Sequence, residues 1–291
     1  MFSKDEIYRY IEKCHLADGG YFFAQITPSS GLDTCLAIKT LNLLGLKPKN
    51  PEAVISFWEI EENEGNLNDL NGLFLAIQSY KDLGYPLNGF EKYKDLLLSF
   101  FRNEGFFKIR KYILEKEELS SLDLSIASIY LDILEGESRQ VHYLITLLSE
   151  LGVKFDKKMF VEYVNSLTND DGGFGSIVGS QASTTYYCLE ILNVAAQLDN
   201  RVSKIDLFLT QQFQSANYLE EYFWAIKGLA LLKKEIPEKK KMWSFLEGCY
   251  RGNGGFSRSQ FMGISTIEYT YYAVSILKYL ENQHLSVFYN K

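Results

Sequence analysis

The chain has 291 residues, 46 % hydrophobic and 15 % aromatic, so it can bury a sizeable core and does not have a disordered composition. Its net charge of −7, with basic residues scattered along the chain, argues against a general nucleic-acid surface. No run of about 18 apolar residues predicts a membrane span, and the charged start MFSKDEIYRY lacks the apolar centre of a signal peptide. Cys14, Cys35, Cys188 and Cys249 lie far apart with no CxxC pair, so reduced, buried thiols in a cytoplasmic protein are expected.

In chain order, the first element is an amphipathic helix over 3–14, with Ile7, Tyr10, Ile11 and Cys14 on one face. Gly19-Gly20-Tyr21 reads as a turn, and a helix follows from Asp33 to Leu44, stopped by Gly45. The second pair takes 51–61 and 68–83; Pro51 suits a first helical turn and Gly84 a stop. A third pair takes 88–101 and 121–135, and 138–150 reads as an extra helix. The last three pairs are 156–167 with 183–197, 202–213 with 218–233, and 239–249 with 267–281.

The stretch NDDGGFGSIVGSQASTTYYCLEIL, residues 169–192, joins a Gly-Gly-Phe turn to an apolar helix. It recurs at 253–277, and a diverged copy occupies 18–41. Such internal similarity is the signature of a repeat architecture. Starting the second helix of each pair at Asp33, Gly72, Asp123, Thr184, Glu221 and Tyr269 aligns them. Four residues on stand Ala37, Ala76, Ala127, Cys188, Ala225 and Ala273, all small; eight on stand Leu41, Tyr80, Leu131, Leu192, Leu229 and Leu277, all large. Small residues one turn from large ones let helices approach closely. The pattern predicts an all-α fold, an α6/α6 toroid of six helical hairpins forming one domain over 1–291.

At these residues the chain resembles the prenyltransferase and squalene-cyclase repeat family, and within it the β-subunits of protein geranylgeranyltransferases. The resemblance implies a barrel with an aromatic-lined lumen for an isoprenoid, an α-subunit-like protein partner, and zinc-activated thiolate chemistry. The family's zinc ligands are an Asp-x-Cys at the start of the fifth inner helix and a His at the start of the sixth. Those positions fall here on Tyr218, Glu220 and Tyr269, so no metal and no zinc cofactor are expected. The basic residues that precede the family's Asp-x-Cys are also unmatched, since FLTQQFQSANYLEEY holds no Lys or Arg. Asp33-Thr34-Cys35 is an Asp-x-Cys in the first inner helix, but the next inner helix brings no His. The acid motif of protonating terpene cyclases is only partly matched, at Asp33 and Asp123, and Asn169-Asp170-Asp171 reads as a turn.

What remains is an aromatic interior. Tyr187, Trp224 and Tyr272 share one register, Tyr186, Phe223 and Tyr271 the next, and Tyr218 and Tyr269 join them through the zinc positions. Such faces suit an isoprenoid or another apolar ligand. Glu220 stands first among candidate acids or bases, with Asp33 and Asp123 next, and a hydrogen-bonded group of Tyr218, Glu220 and Tyr269 is expected. Three functions follow: an isoprenoid-handling protein of prenyltransferase type, a non-catalytic binding or scaffold protein on the same barrel, or a terpene cyclase.

Overall fold

The computed structural model describes residues 2–107, 124–176, 179–198, 202–283 and 288–289. The helices in chain order are α1 Lys4–Lys13, α2 Gly31–Leu44, α3 Pro51–Asn63, α4 Leu70–Leu83, α5 Lys94–Arg102, α6 Glu104–Phe107, α7 Leu124–Glu150, α8 Lys158–Ser166, α9 Ala182–Ala195, α10 Val202–Ser215, α11 Leu219–Leu231, α12 Lys239–Cys249 and α13 Ile267–Asn282. Short strands add β1 Phe2–Ser3, β2 Gly175–Ser176, β3 Gly179–Ser180 and β4 Phe288–Tyr289. Two compact units result: Met1–Gly89 with Ala216–Phe223 and Glu235–Lys291, and Phe90–Ser215 with Trp224–Lys234.

In the first unit α2 packs against both α4 and α13, so the last helical pair meets the first. β1 and β4 pair in parallel, joining Phe2 to Phe288 and Ser3 to Tyr289. In the second unit α9 packs against α7 and α8. Helices α2, α9 and α13 are buried almost all round, as their apolar sequences require. Ala37, Ala76, Cys188, Ala225 and Ala273 are all fully buried, as their alignment predicted.

The Gly-Gly turns are built alike. Gly20, Gly173 and Gly255 donate their N–H to Asp18, Asp171 and Asn253 respectively. The following aromatic N–H donates to a threonine hydroxyl in the next helix: Tyr21 to Thr34, Phe174 to Thr185, Phe256 to Thr270. Asp171 is thus part of a turn, where its carboxylate also accepts from the Ser180 hydroxyl. Gly172 and Gly254 have φ of 90° and 92°. A Cβ on Gly254 would lie 2.2 Å from the Glu6 carbonyl oxygen in α1, and one on Gly172 would lie 2.5 Å from that of Lys204 in α10. Only glycine fits where the turn must touch the neighbouring helix so closely in a left-handed conformation.

The third repeat differs from the expected register. Residues 138–150 are not a separate helix but the second half of the 27-residue α7, and Gly136 lies within it. Five helices among those described end on a left-handed residue: Gly45, Gly84, Gly152, Ala196 and Lys233. The next N–H then bonds back to Leu41, Tyr80, Leu148, Leu192 and Leu229 in turn. This shared cap makes Leu148 the counterpart of Leu41, in place of Leu131, and puts Leu144 at the small position. Asp123 and the side chain of Ala127 lie outside the described residues.

Candidate functional site

Three of the apolar helices among those described keep an accessible stripe. On α7 it follows Arg139, His142, Thr146 and Glu150; on α11, Glu220, Trp224 and Lys227; on α13, Glu268, Tyr271, Ser275 and Lys278. The spacing of three or four residues is that of a single helix face.

In the first unit, the positions that the resemblance assigns to zinc do come together. Glu220 Oε1 lies 2.6 Å from Arg258 Nε. The Arg258 guanidinium stands over the Tyr218 ring, 4.1 Å from its centroid. Burial raises the Tyr269 phenol, Glu220 raises it further, and Arg258 opposes the shift. The expected group of two phenols and a carboxylate therefore has a fourth member at its centre, and Glu220 pairs with the guanidinium instead of a phenol. Arg258 follows the turn at Gly254-Gly255-Phe256, and its carbonyl accepts the N–H of Leu219, the first residue of α11. Glu221 folds back to accept the N–H groups of Asn217 and Tyr218, so it caps α11 and leaves the inner position to Glu220.

These residues do not fit zinc. Phenols are poor ligands for it, Glu220 is taken by a cation, and no group of three or more His, Cys, Asp or Glu is placed to hold a metal among the described residues. The Asp-x-Cys of α2 fits no better. Burial pushes the Cys35 thiol up, away from the thiolate a metal needs, although Lys39 partly opposes this. Asp33 is not the cap of its helix; Ser30 is. The buried Asp33 carboxylate instead accepts the Phe23 N–H at 3.0 Å. Burial pushes it up to about 6, against that hydrogen bond and with help from Glu268.

The candidate aromatic residues form a group in each unit. In the first, Phe223 stacks on Tyr272 at 4.2 Å and meets Tyr271 edge-on at 5.7 Å. Tyr269 lies 6.3 Å from Tyr272, whose hydroxyl donates to Glu268. In the second, Trp224 lies 5.4 Å from Tyr186 and 5.3 Å from Tyr187. The Tyr186 hydroxyl donates to Glu190 at 2.7 Å, and the Lys227 ammonium stands 5.8 Å from the Tyr186 ring centroid.

Arg139 was not singled out in the sequence. Burial works against its charge, but Tyr187, Tyr143 and Glu135 outweigh that and hold the guanidinium protonated. Its Nε is buried without a hydrogen-bond partner among the described residues. Glu135 accepts the Ser183 hydroxyl at 2.8 Å. A guanidinium beside a phenol at the edge of an aromatic group can hold an anionic head while the rings face an apolar chain. With Leu131 as the large position, the sequence did not reveal it; only the cap that marks Leu148 makes Arg139 the third repeat's counterpart of Glu220 in register.

The pairing of one apolar helix with one amphipathic helix in repeat after repeat is that of an α/α toroid. The family model of the prenyltransferase alpha-alpha toroid domain matches residues 2–215 and 200–291, and the chain belongs to that family. Among solved structures it is similar to Candida albicans protein geranylgeranyltransferase-I complexed with GGPP, at 10 % identity and a TM-score of 0.66, over 96 % of this chain and 92 % of that one. At that identity the likeness is one of fold. None of the curated proteins matches the sequence. Among the described residues no helix is long and apolar enough to cross a membrane.

Proposed function

We propose that this chain binds an amphipathic isoprenoid through its aromatic stripes and does not use zinc for transfer to a peptide. The observation that carries this reading is the Glu220–Arg258 pair, which occupies the zinc corner with an ion pair flanked by Tyr218 and Tyr269. Membership of the family and the fold shared with a transferase bound to GGPP support an isoprenoid as the ligand class. Arg139 is the group suited to the anionic head, and Tyr186, Tyr187 and Trp224 are the rings suited to the chain. Glu220 and Asp33 remain the acids available for catalysis.

A scaffold role on the same barrel is favoured by one surface. Phe261, Met262 and Ile264 are 91 %, 71 % and 68 % exposed, in the loop that carries Arg258. Exposed apolar residues clustered in one loop suit a protein partner, which an α-subunit-like chain would supply.

The test is a calorimetric titration with geranylgeranyl diphosphate and with geranylgeraniol, alongside elemental analysis. Both ligands should bind, the diphosphate more tightly, and Trp224→Ala should weaken both by about tenfold, the cost of losing a large apolar wall. Failure of both to bind would leave the scaffold reading. One tightly held equivalent of zinc, lost on Cys35→Ala, would overturn the zinc-free part.

A further inference from the structure

At one shared register position, each of the six apolar helices among the described residues carries a polar side chain: Lys39, Gln78, Thr146, Glu190, Lys227 and Ser275. The register follows from the shared helix caps, and in α13 from its alignment with them; all six positions lie two residues before the capped one of Leu41, Tyr80, Leu148, Leu192, Leu229 and Leu277. In the first unit Lys39 is bound by Gln78 and Asp82; in the second the row is Thr146, Glu190 and Lys227. Within the second unit the pattern repeats from helix to helix. On α7 it runs Arg139, then His142 and Tyr143, then Thr146; on α9 it runs Ser183, then Tyr186 and Tyr187, then Glu190. Seven residues of helix separate the two polar levels, roughly 10 Å at 1.5 Å per residue.

The lower level also holds an unmet hydrogen bond. Thr40 and Ser79, buried in helices α2 and α4, donate to the carbonyls of Leu36 and Leu75 one turn back. Thr146 Oγ1 is buried without a hydrogen-bond partner among the described residues, and so is Ser275 Oγ in the first unit. In the second unit, therefore, an acceptor (Glu190), a cation (Lys227) and an unpartnered hydroxyl (Thr146) share one level below the rings.

We propose that this level receives a hydroxyl at the far end of the ligand's apolar chain. The inference deepens the reading of an isoprenoid-binding site and rests on it. A hydroxyl is both donor and acceptor, which matches Glu190 on one side and Lys227 and Thr146 on the other. The separation of roughly 10 Å fits a chain of about two isoprene units.

Titration of the full chain with geranyl diphosphate and with its terminally hydroxylated derivative tests this. The hydroxylated ligand should bind about tenfold more tightly, as expected for a site built to hydrogen-bond a ligand hydroxyl. Glu190→Leu combined with Lys227→Met should bring it down to the affinity of the plain chain. Thr146→Val, a gentler change, should reduce the preference if the double variant does not fold. Equal affinity of the two ligands in the unaltered protein overturns the proposal and leaves isoprenoid binding standing, as does a preference that survives the variants. Binding of neither ligand, nor of geranylgeranyl diphosphate, overturns both.

Discussion

At the three Gly-Gly turns one set of contacts recurs, with N–H to threonine distances of 2.9, 3.0 and 3.1 Å at Tyr21, Phe174 and Phe256. At the register position of Glu220 the chemistry instead changes from helix to helix, with Leu32, Asn71, Arg139, Ser183 and Glu268 at its counterparts. The turns join each repeat to the next, so any departure there is felt as a clash or a lost hydrogen bond. The side chains at these positions meet partners that differ from helix to helix: Arg258 at Glu220, Glu135 at Ser183 and Tyr272 at Glu268. Polarity and charge can vary along them without disturbing the packing of the small and large positions behind.

The sharpest test of this contrast is a substitution in a turn. Gly254→Ala places a Cβ against the Glu6 carbonyl and forces a non-glycine residue to φ near 92°. It should cost about 3 kcal/mol or more, measured by urea denaturation. A neutral result would show that the turns are not the rigid part. Next comes the packing face behind a stripe: Ala273 is fully buried in α13, and Ala273→Leu should cost about 1–3 kcal/mol by overpacking. If it proves neutral, the small-large register is wrong.

A smaller effect belongs to Asp33, which combines a buried position with a titratable group. Its carboxyl is pushed up to about 6 in the folded chain, above the ordinary value of about 3.9. The folded state thus binds the proton more tightly than the unfolded one, and stability falls as pH rises from about 4 to about 6. Asp33→Asn should flatten thermal stability across that window, while the slope outside it stays the same. An unchanged profile would mean that Asp33 ionises as it would in water.

Most of the scaffold could be read from the sequence, because glycine pairs and alternating small and large residues leave few structural choices. The third repeat could not. Its small position holds Leu144, and Gly136 imitates a helix end, although α7 runs through it with open space beside the glycine. The candidate site was half legible. Register put Tyr187, Trp224 and Tyr272 in one row and Tyr186, Phe223 and Tyr271 in the next, whereas the rings also meet across the rows, Trp224 with Tyr186 and Phe223 with Tyr272. Arg258 was missed because it reaches Glu220 from a loop 38 residues away. No spacing rule covers a side chain delivered by a turn. The choice between Glu220 and Glu221 also needed coordinates, because only the backbone at 217–218 shows which carboxylate is used as a cap.

The contact of Gly254 with Glu6 bears on how the chain comes apart. In an array of repeats, each unit leans on its neighbour, and an end repeat that lacks one is where melting begins. Here the turn of the last repeat rests on the first helix, just as Gly19 rests on Ala53 of α3. Fraying of α1 must therefore strip a contact from the repeat most distant from it in sequence. Loss of the first helix and loss of the last turn are thus coupled, and neither is a free end within the first unit.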